Sequence, residues 1–300
     1  MIRSTFIVPS GVFANGLTES AFTLFFMMND IVMRPIKRRA LRSLLGKEYF
    51  ILKRKIHWLF HSFDYAGKIK GVNLAYSVIR HRSFLLRPLK NVDMYLQHNK
   101  VRNLQLAINK IHGVVILPGQ TLSLWRLVGR PTKSKGYLNG LALENGRITK
   151  GIGGGLCQLG NLIYWMALHS PLSITERWRH GYDVFPDINR TIPFACGATL
   201  SYNYVDLQIK NNTNSTFQID LWLDAEYLNG EIKGDIEPEA LYSVFETDHH
   251  IKHQWWGGYT RHNKIWKRCQ NKKTGICLEE LVSENNAILM YPPLLDSSRG

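Results

Sequence analysis

The sequence predicts an α+β fold: a cysteine-bearing central helix packed on a mostly antiparallel sheet, with a basic helical region ahead of it. Three observations predict it. Leu156, Leu159, Ile163, Met166 and Ala167 recur at helical spacing directly after three glycines. Val101, Leu104, Ala107, Ile108 and Ile111 repeat that period within residues 99–111. Phe217, Ile219, Leu221 and Leu223 instead alternate, the pattern of a strand with one buried face. A chain of 300 residues with 45% hydrophobic content can bury a proper core.

Taken in order, residues 1–32 read as a disordered extension, with Met33 as an alternative start. Residues 33–60 read as a basic amphipathic helical segment, in which Ile36, Leu41, Leu44, Leu45, Ile51, Leu52, Ile56 and Leu59 are set among cations. Its apolar stripe is expected to pack on the protein's own core, or else to lie on a membrane surface. The main domain is expected over 61–240. It opens with an extended polar stretch around 68–90 and continues into the 99–111 helix, which Gly113 ends.

Val114 to Leu117 reads as a short buried strand stopped by Pro118-Gly119, and 121–128 as a second strand. Residues 129–150 read as a loop and hairpin leading to the glycines. After the cysteine helix, 174–178 reads as a strand ending beside His180. Residues 200–210 and 216–223 read as a strand pair joined by an Asn-rich turn, and 227–233 as a further strand turning at Asn229-Gly230. Residues 241–300 read as a basic, aromatic, irregular extension, its Trp255, Trp256, Tyr259 and Trp266 expected mainly to bury area.

The chemistry centres on Gly153-Gly154-Gly155-Leu156-Cys157-Gln158. Consecutive glycines allow positive φ and leave room for close approach of a ligand. Cys157 falls in the first helical turn, where open N–H groups and the positive end of the macrodipole favour a thiolate. His180 follows 23 residues later. The pair can be read as nucleophile and base, with Gly153, Gly154, Gly155 and Leu156 as oxyanion or substrate-binding positions. Gln158 reads either as a side-chain donor to that site or as first-turn solvation. The other reading makes Cys157 a small buried hydrophobe.

No Lys-Ser/Thr pair follows the glycines, which argues against a phosphate-binding P-loop. The four cysteines form no CxxC pair, so no metal site and no cofactor is expected.

Further features match a known family. The segment GGGLCQLGNLIYWMALHSPLSITERWRHGYDVFPD, the lead-in NKVRNLQLAINKIHGVVILPGQTLSLWRLVG and the later ATLSYNYVDLQIKNNTNSTFQIDLWLD together resemble the VanW family over roughly residues 60–240. The resemblance implies a link to glycopeptide resistance and peptidoglycan remodelling. Some multidomain relatives are described as peptidoglycan L,D-transpeptidases whose nucleophile is the motif cysteine. By that resemblance Cys157 is the nucleophile and His180 the base. Many relatives carry Asp-Ala-Thr where this chain has Gly197-Ala198-Thr199, which puts the orienting group in doubt. Asp183, Asp187 and Asp206 are the alternatives.

The formal net charge of +15 is concentrated. Residues 33–60 hold nine Lys or Arg against one acid, Glu48, and residues 251–275 hold seven against none. Such segments suit an anionic partner. Expected partners are a peptidoglycan peptide or precursor and an anionic membrane surface. Nucleic acid is disfavoured because no recognised binding motif is present. The apolar run 21–33 is broken by Asn29 and Asp30 and is shorter than the about 20 apolar residues of a span. It also lacks the flanks of an export signal. A cytoplasmic location is expected, with peripheral contact at the inner face of the membrane.

Overall fold

This computed structural model describes residues 40–86, 93–144, 146–184, 191–203 and 205–293. The expectations for residues 1–32, and those resting on Asp187, lie outside the described residues. The chain divides into two compact units, Met1–Tyr49 and Phe50–Gly300. Helix α1 runs Ala40–Phe60, so the described part of the first unit is helical. The second unit takes in both the main domain and the C-terminal segment.

The architecture is α+β and almost wholly antiparallel. Four short early strands are β1 (Gly67–Lys68), β2 (Tyr76–Phe84), β3 (Val114–Ile116) and β4 (Thr121–Ser123). Helix α2 (Met94–Ile111) separates β2 from β3, and helix α3 (Leu124–Val128) follows β4. The hairpin β5 (Asn139–Glu144) and β6 (Arg147–Ile152) then delivers the chain to helix α4 (Cys157–Leu168). Beyond α4 come β7 (Ser173–Glu176), β8 (Tyr182–Asp183), β9 (Gln208–Lys210), β10 (Phe217–Leu223) and β11 (Tyr227–Gly234). Three long strands, β12 (Ala240–His253), β13 (Tyr259–Asn271) and β14 (Cys277–Leu289), complete the order.

The five-stranded sheet has order β1-β3-β10-β11-β2, and a three-stranded sheet has order β4-β9-β7. The long C-terminal strands form β12-β13-β14, with β8 added in parallel to β14. Helix α4 lies against β11, β2 and β7, and α2 against β10 and β5. The core between them holds Leu104, Ile111, Ile116, Leu122, Leu159, Ile163, Met166, Leu207 and Ile209, all fully buried. The helical period read after the glycines therefore marks the face of α4 that the sheet covers.

Four expectations are corrected. Residues 121–128 do not continue as one strand. The Ser123 hydroxyl accepts from the Arg126 amide, and the Asp206 carboxylate accepts from the Trp125 amide at 3.0 Å, so the chain turns into α3. The 200–210 and 216–223 segments are not partners in a hairpin. β9 pairs with β4 and β7, whereas β10 pairs with β3 and β11. Between them buried Asn211 donates to Ile116 O and Ser215 O, carrying the chain from one sheet to the other.

Asn229-Gly230 is not a turn but mid-strand. An added Cβ on Gly230 would sit 2.7 Å from Met166 Cε and 2.9 Å from Leu162 Cδ2, so the glycine is where α4 crosses the sheet. The true turn is at Asp224, whose carboxylate accepts from the Glu226 and Tyr227 amides. Within residues 241–300, read as irregular, the described residues up to Leu289 form the long antiparallel strands instead. Trp255, expected to bury area, is 87% exposed beyond the end of β12.

The basic helix meets its expectation on one side only. Ile51 is buried and Trp58 packs against the core, but Leu52, Ile56, Leu59 and Phe60 face outward. Among the described residues no helix is long and apolar enough to cross a membrane.

Candidate functional site

Chain geometry first places the sulfur. After β6 the backbone turns through Gly153 (φ 74°) and Gly155 (φ 93°), both in the left-handed region that favours glycine. Leu156 is the N-cap of α4 and gives no side-chain capping bond. Among the described residues the amides of Gly155 and Leu156 therefore have no hydrogen-bond acceptor. Cys157 begins the helix and is only partly exposed as a residue. The backbone amides of Leu200 and of Cys157 itself face the sulfur and favour the thiolate. Burial outweighs them and pushes the thiol up, so the resting group is a neutral S–H.

The space that the glycines leave is filled by the protein. An added Cβ on Gly154 would lie 2.2 Å from Gly140 C and 2.3 Å from Gly140 O, backbone against backbone. The same atom on Gly155 would meet Lys100 Cγ at 2.1 Å, and on Gly153 it would meet Pro131 Cβ at 2.7 Å. The expected opening for a ligand is thus a packed junction between the β5–β6 hairpin, α2 and the start of α4. Buried Asn103 ties it together, donating to Gly154 O at 2.9 Å and Leu138 O at 3.0 Å.

Two of the glycine amides are engaged, Gly153 N donating to Leu138 O and Gly154 N to Gly151 O. Gln158 is engaged as well: its Nε2 donates to Ser83 Oγ at 2.8 Å and Phe84 O at 2.7 Å. Both amide hydrogens of that side chain are taken, so Gln158 fastens α4 to the end of β2 rather than offering a donor to the site. Of the oxyanion positions read from sequence, Gly155 and Leu156 keep open N–H groups.

His180 lies on the segment after β7, which the loop 194–200 straps down. Thr199 N donates to Trp178 O at 2.7 Å. Arg177 donates to Gly197 O and Ala195 O, and its guanidinium sits 4.8 Å from the Tyr164 ring centroid. That loop reaches both groups, touching the thiol through Leu200 and the histidine segment through Thr199. Burial lowers the His180 imidazole, and the neighbouring Arg179 charge lowers it further, so the ring is neutral at pH 7. Among the described residues no hydrogen bond joins Cys157 to His180.

No carboxylate is bonded to that imidazole among the described residues. Buried Asp183 accepts from Arg261 at 3.3 Å and from the Tyr291 hydroxyl at 3.1 Å. Asp206 belongs to another cluster. Its carboxylate accepts from Ser123 Oγ at 2.6 Å and from the Trp125 and Leu207 amides, and Arg54 Nη1 stands 3.6 Å away. Arg54 itself makes a two-pronged bond to Glu176 at 2.7 and 2.9 Å, fastening α1 to the end of β7.

One residue that the sequence reading passed over matters here. Asn161, one helical turn beyond Cys157, accepts the Ala198 amide at 2.7 Å. An added Cβ on Gly197 would approach that same Oδ1 to 2.9 Å. A side chain at position 197 would therefore require the Asn161 amide to shift. The only signal in the sequence is its four-residue spacing from Cys157.

A family model described as VanW like protein matches residues 99–233, which include Cys157 and His180. The vancomycin B-type resistance protein VanW of Enterococcus faecalis is 34% identical over 235 residues, covering 78% of this chain and 85% of that protein. The uncharacterized protein YoaR of Bacillus subtilis is 28% identical over 133 residues, covering 43% of this chain and 41% of that one. No solved structure matches the chain.

Proposed function

This chain belongs to the VanW family, linked through its relative's name to B-type vancomycin resistance, and on that premise we propose that it is a cysteine acyltransferase of peptidoglycan peptides or their precursors, acting in the cytoplasm. The observation that carries the reading is the environment of one sulfur. Cys157 stands at the start of α4 beside the open amides of Gly155 and Leu156, with the Leu200 amide facing it. Those donors suit the oxyanion of a tetrahedral intermediate.

Resting charges define the form of the reaction. A thiol held up and an imidazole held down make a neutral pair rather than a thiolate–imidazolium pair. His180 then acts as a general base, taking the S–H proton as sulfur adds to the substrate carbonyl. The same proton passes to the leaving amine, the C–N bond breaks and a thioester remains on Cys157. An acceptor amine, deprotonated by His180, attacks the thioester, forms the new amide and releases the thiol. The two side chains are not bonded at rest, so His180 must come within reach of the sulfur when substrate binds.

A second reading makes the protein a non-catalytic binder of wall peptides, and one observation favours it: the desolvated thiol has no bond to the imidazole. Incubation with muropeptide tetrapeptide followed by intact mass spectrometry separates the two. The acyltransferase gives a thioester adduct that is absent in Cys157→Ala and formed at least about 100-fold more slowly in His180→Ala. Equal muropeptide binding by wild type and Cys157→Ala, with no adduct in either, establishes the binding protein instead.

A further inference from the structure

The outward face of α1 carries large apolar side chains in contact with solvent. Leu52 is 58% exposed, Ile56 47%, Leu59 75% and Phe60 77%. In the short helical turn Ser62–Asp64 that follows, Phe63 is 92% exposed. At roughly 100° of rotation per residue, Leu52, Ile56 and Leu59 form one narrow stripe with Phe60 at its side. Ile51, Arg54 and Trp58 occupy the opposite side, where Ile51 is buried and Arg54 bonds Glu176. The same rotation puts exposed Lys53 and Lys55 on the two edges of the stripe.

We propose that this stripe docks the protein on an anionic lipid bilayer, with α1 lying in the plane of the surface. An apolar strip bordered on both sides by cations is the arrangement of an in-plane interfacial helix. The helix does not qualify as a span, so it rests on the membrane rather than crossing it. Charge complementarity selects the partner. Lys53 and Lys55 sit where lipid head groups would be, and the sequence just before the helix adds Arg34, Lys37, Arg38 and Arg39. Two acids lie near the stripe, Glu48 one turn before Leu52 and Asp64 beside the Phe63 tip, and the cations outnumber them.

A second copy of the chain is the rival occupant, because the spacing of Leu52, Ile56, Leu59 and Phe63 would suit a helix–helix seam. Charge argues against it. From Leu52 to Phe63 both edges of the stripe are positive, so a seam over that stretch brings lysine against lysine. The most exposed apolar tip, Phe63, also lies past the end of the helix, where such a seam would stop.

The test uses the full chain without any wall peptide, so its outcome is independent of chemistry at Cys157. Sedimentation with vesicles of phosphatidylglycerol and phosphatidylcholine is compared with phosphatidylcholine alone. Wild type is expected to sediment with the anionic vesicles and to be released by salt. The pair Lys53→Gln and Lys55→Gln is expected to weaken binding roughly 25-fold, about five-fold for each lysine. The triple variant Leu59→Glu, Phe60→Glu, Phe63→Glu is expected to stay in the supernatant with an unchanged circular dichroism spectrum. Equal partition into both vesicle types overturns the proposal. So does lipid binding undisturbed by both variants. A lipid-free dimer that the triple variant converts to monomer overturns it in favour of the second copy.

Discussion

Gly154→Ala is expected to destabilise the protein by more than about 3 kcal/mol, at or beyond the upper end of ordinary overpacking penalties. The reason is the partner of the added methyl. Most core substitutions meet side chains, which can change rotamer, but here the new Cβ would stand 2.2 Å from Gly140 C and 2.3 Å from Gly140 O. Relief requires moving either the β5–β6 hairpin or the start of α4. Neither is free to move, because Asn103 bonds Gly154 O and Leu138 O from α2, and Gly153 N bonds Leu138 O. Gly181→Ala is the control, since an added Cβ there meets nothing within 4 Å. It should fall within about 0.5 kcal/mol of wild type. Urea unfolding midpoints of the two variants decide the matter. A wild-type midpoint for Gly154→Ala would mean that the glycine junction is looser than described.

The second large effect concerns Asp206, whose carboxyl is fully buried and pushed up to about 6, chiefly by desolvation. Glu176 contributes in the same direction, against the bonds from Ser123 and the Trp125 amide and the charge of Arg54. In the unfolded chain the group titrates at about 3.9. Between those values the folded protein retains a proton that the unfolded chain has lost. This residue therefore makes stability fall as pH rises through roughly 4 to 6, by a total of about 3 kcal/mol.

Asp206→Asn keeps an oxygen acceptor for the Trp125 and Leu207 amides and cannot titrate. The stability difference between wild type and this variant should therefore shift by about 3 kcal/mol from pH 4 to pH 7, with the variant gaining. A difference that does not change with pH would refute the buried, raised carboxyl. Asp206→Ala is a separate matter: it strands Ser123 Oγ and two amides and should cost about 3 kcal/mol or more at any pH.

Periodicity made the fold legible wherever one face of an element is dry. α2, α4 and β10 were readable because Leu104, Ile111, Ile163, Met166, Ile219 and Leu221 mark buried faces. The long C-terminal strands were not readable, because their apolar residues do not follow burial. Leu241, Leu278 and Leu281 stand exposed while Asn263, Asn285 and Arg261 are buried. α3 was hidden for another reason. Its start depends on Asp206, which is distant in sequence and reaches the Trp125 amide only once the β4-β9-β7 sheet has formed.

At the site, the position of Cys157 at a helix start was plain from the three glycines and the apolar period after them. What the glycines accommodate was not, because Gly140, Lys100 and Pro131 arrive from other elements. Asn161 escaped notice for the same reason: its partner, the Ala198 amide, is supplied by a loop well downstream.

A sulfur kept protonated by its surroundings is also slow prey for peroxide. Oxidation to the sulfenic acid proceeds through the anion, and here the anion is scarce at neutral pH. The same burial thus also shields Cys157 from oxidative loss.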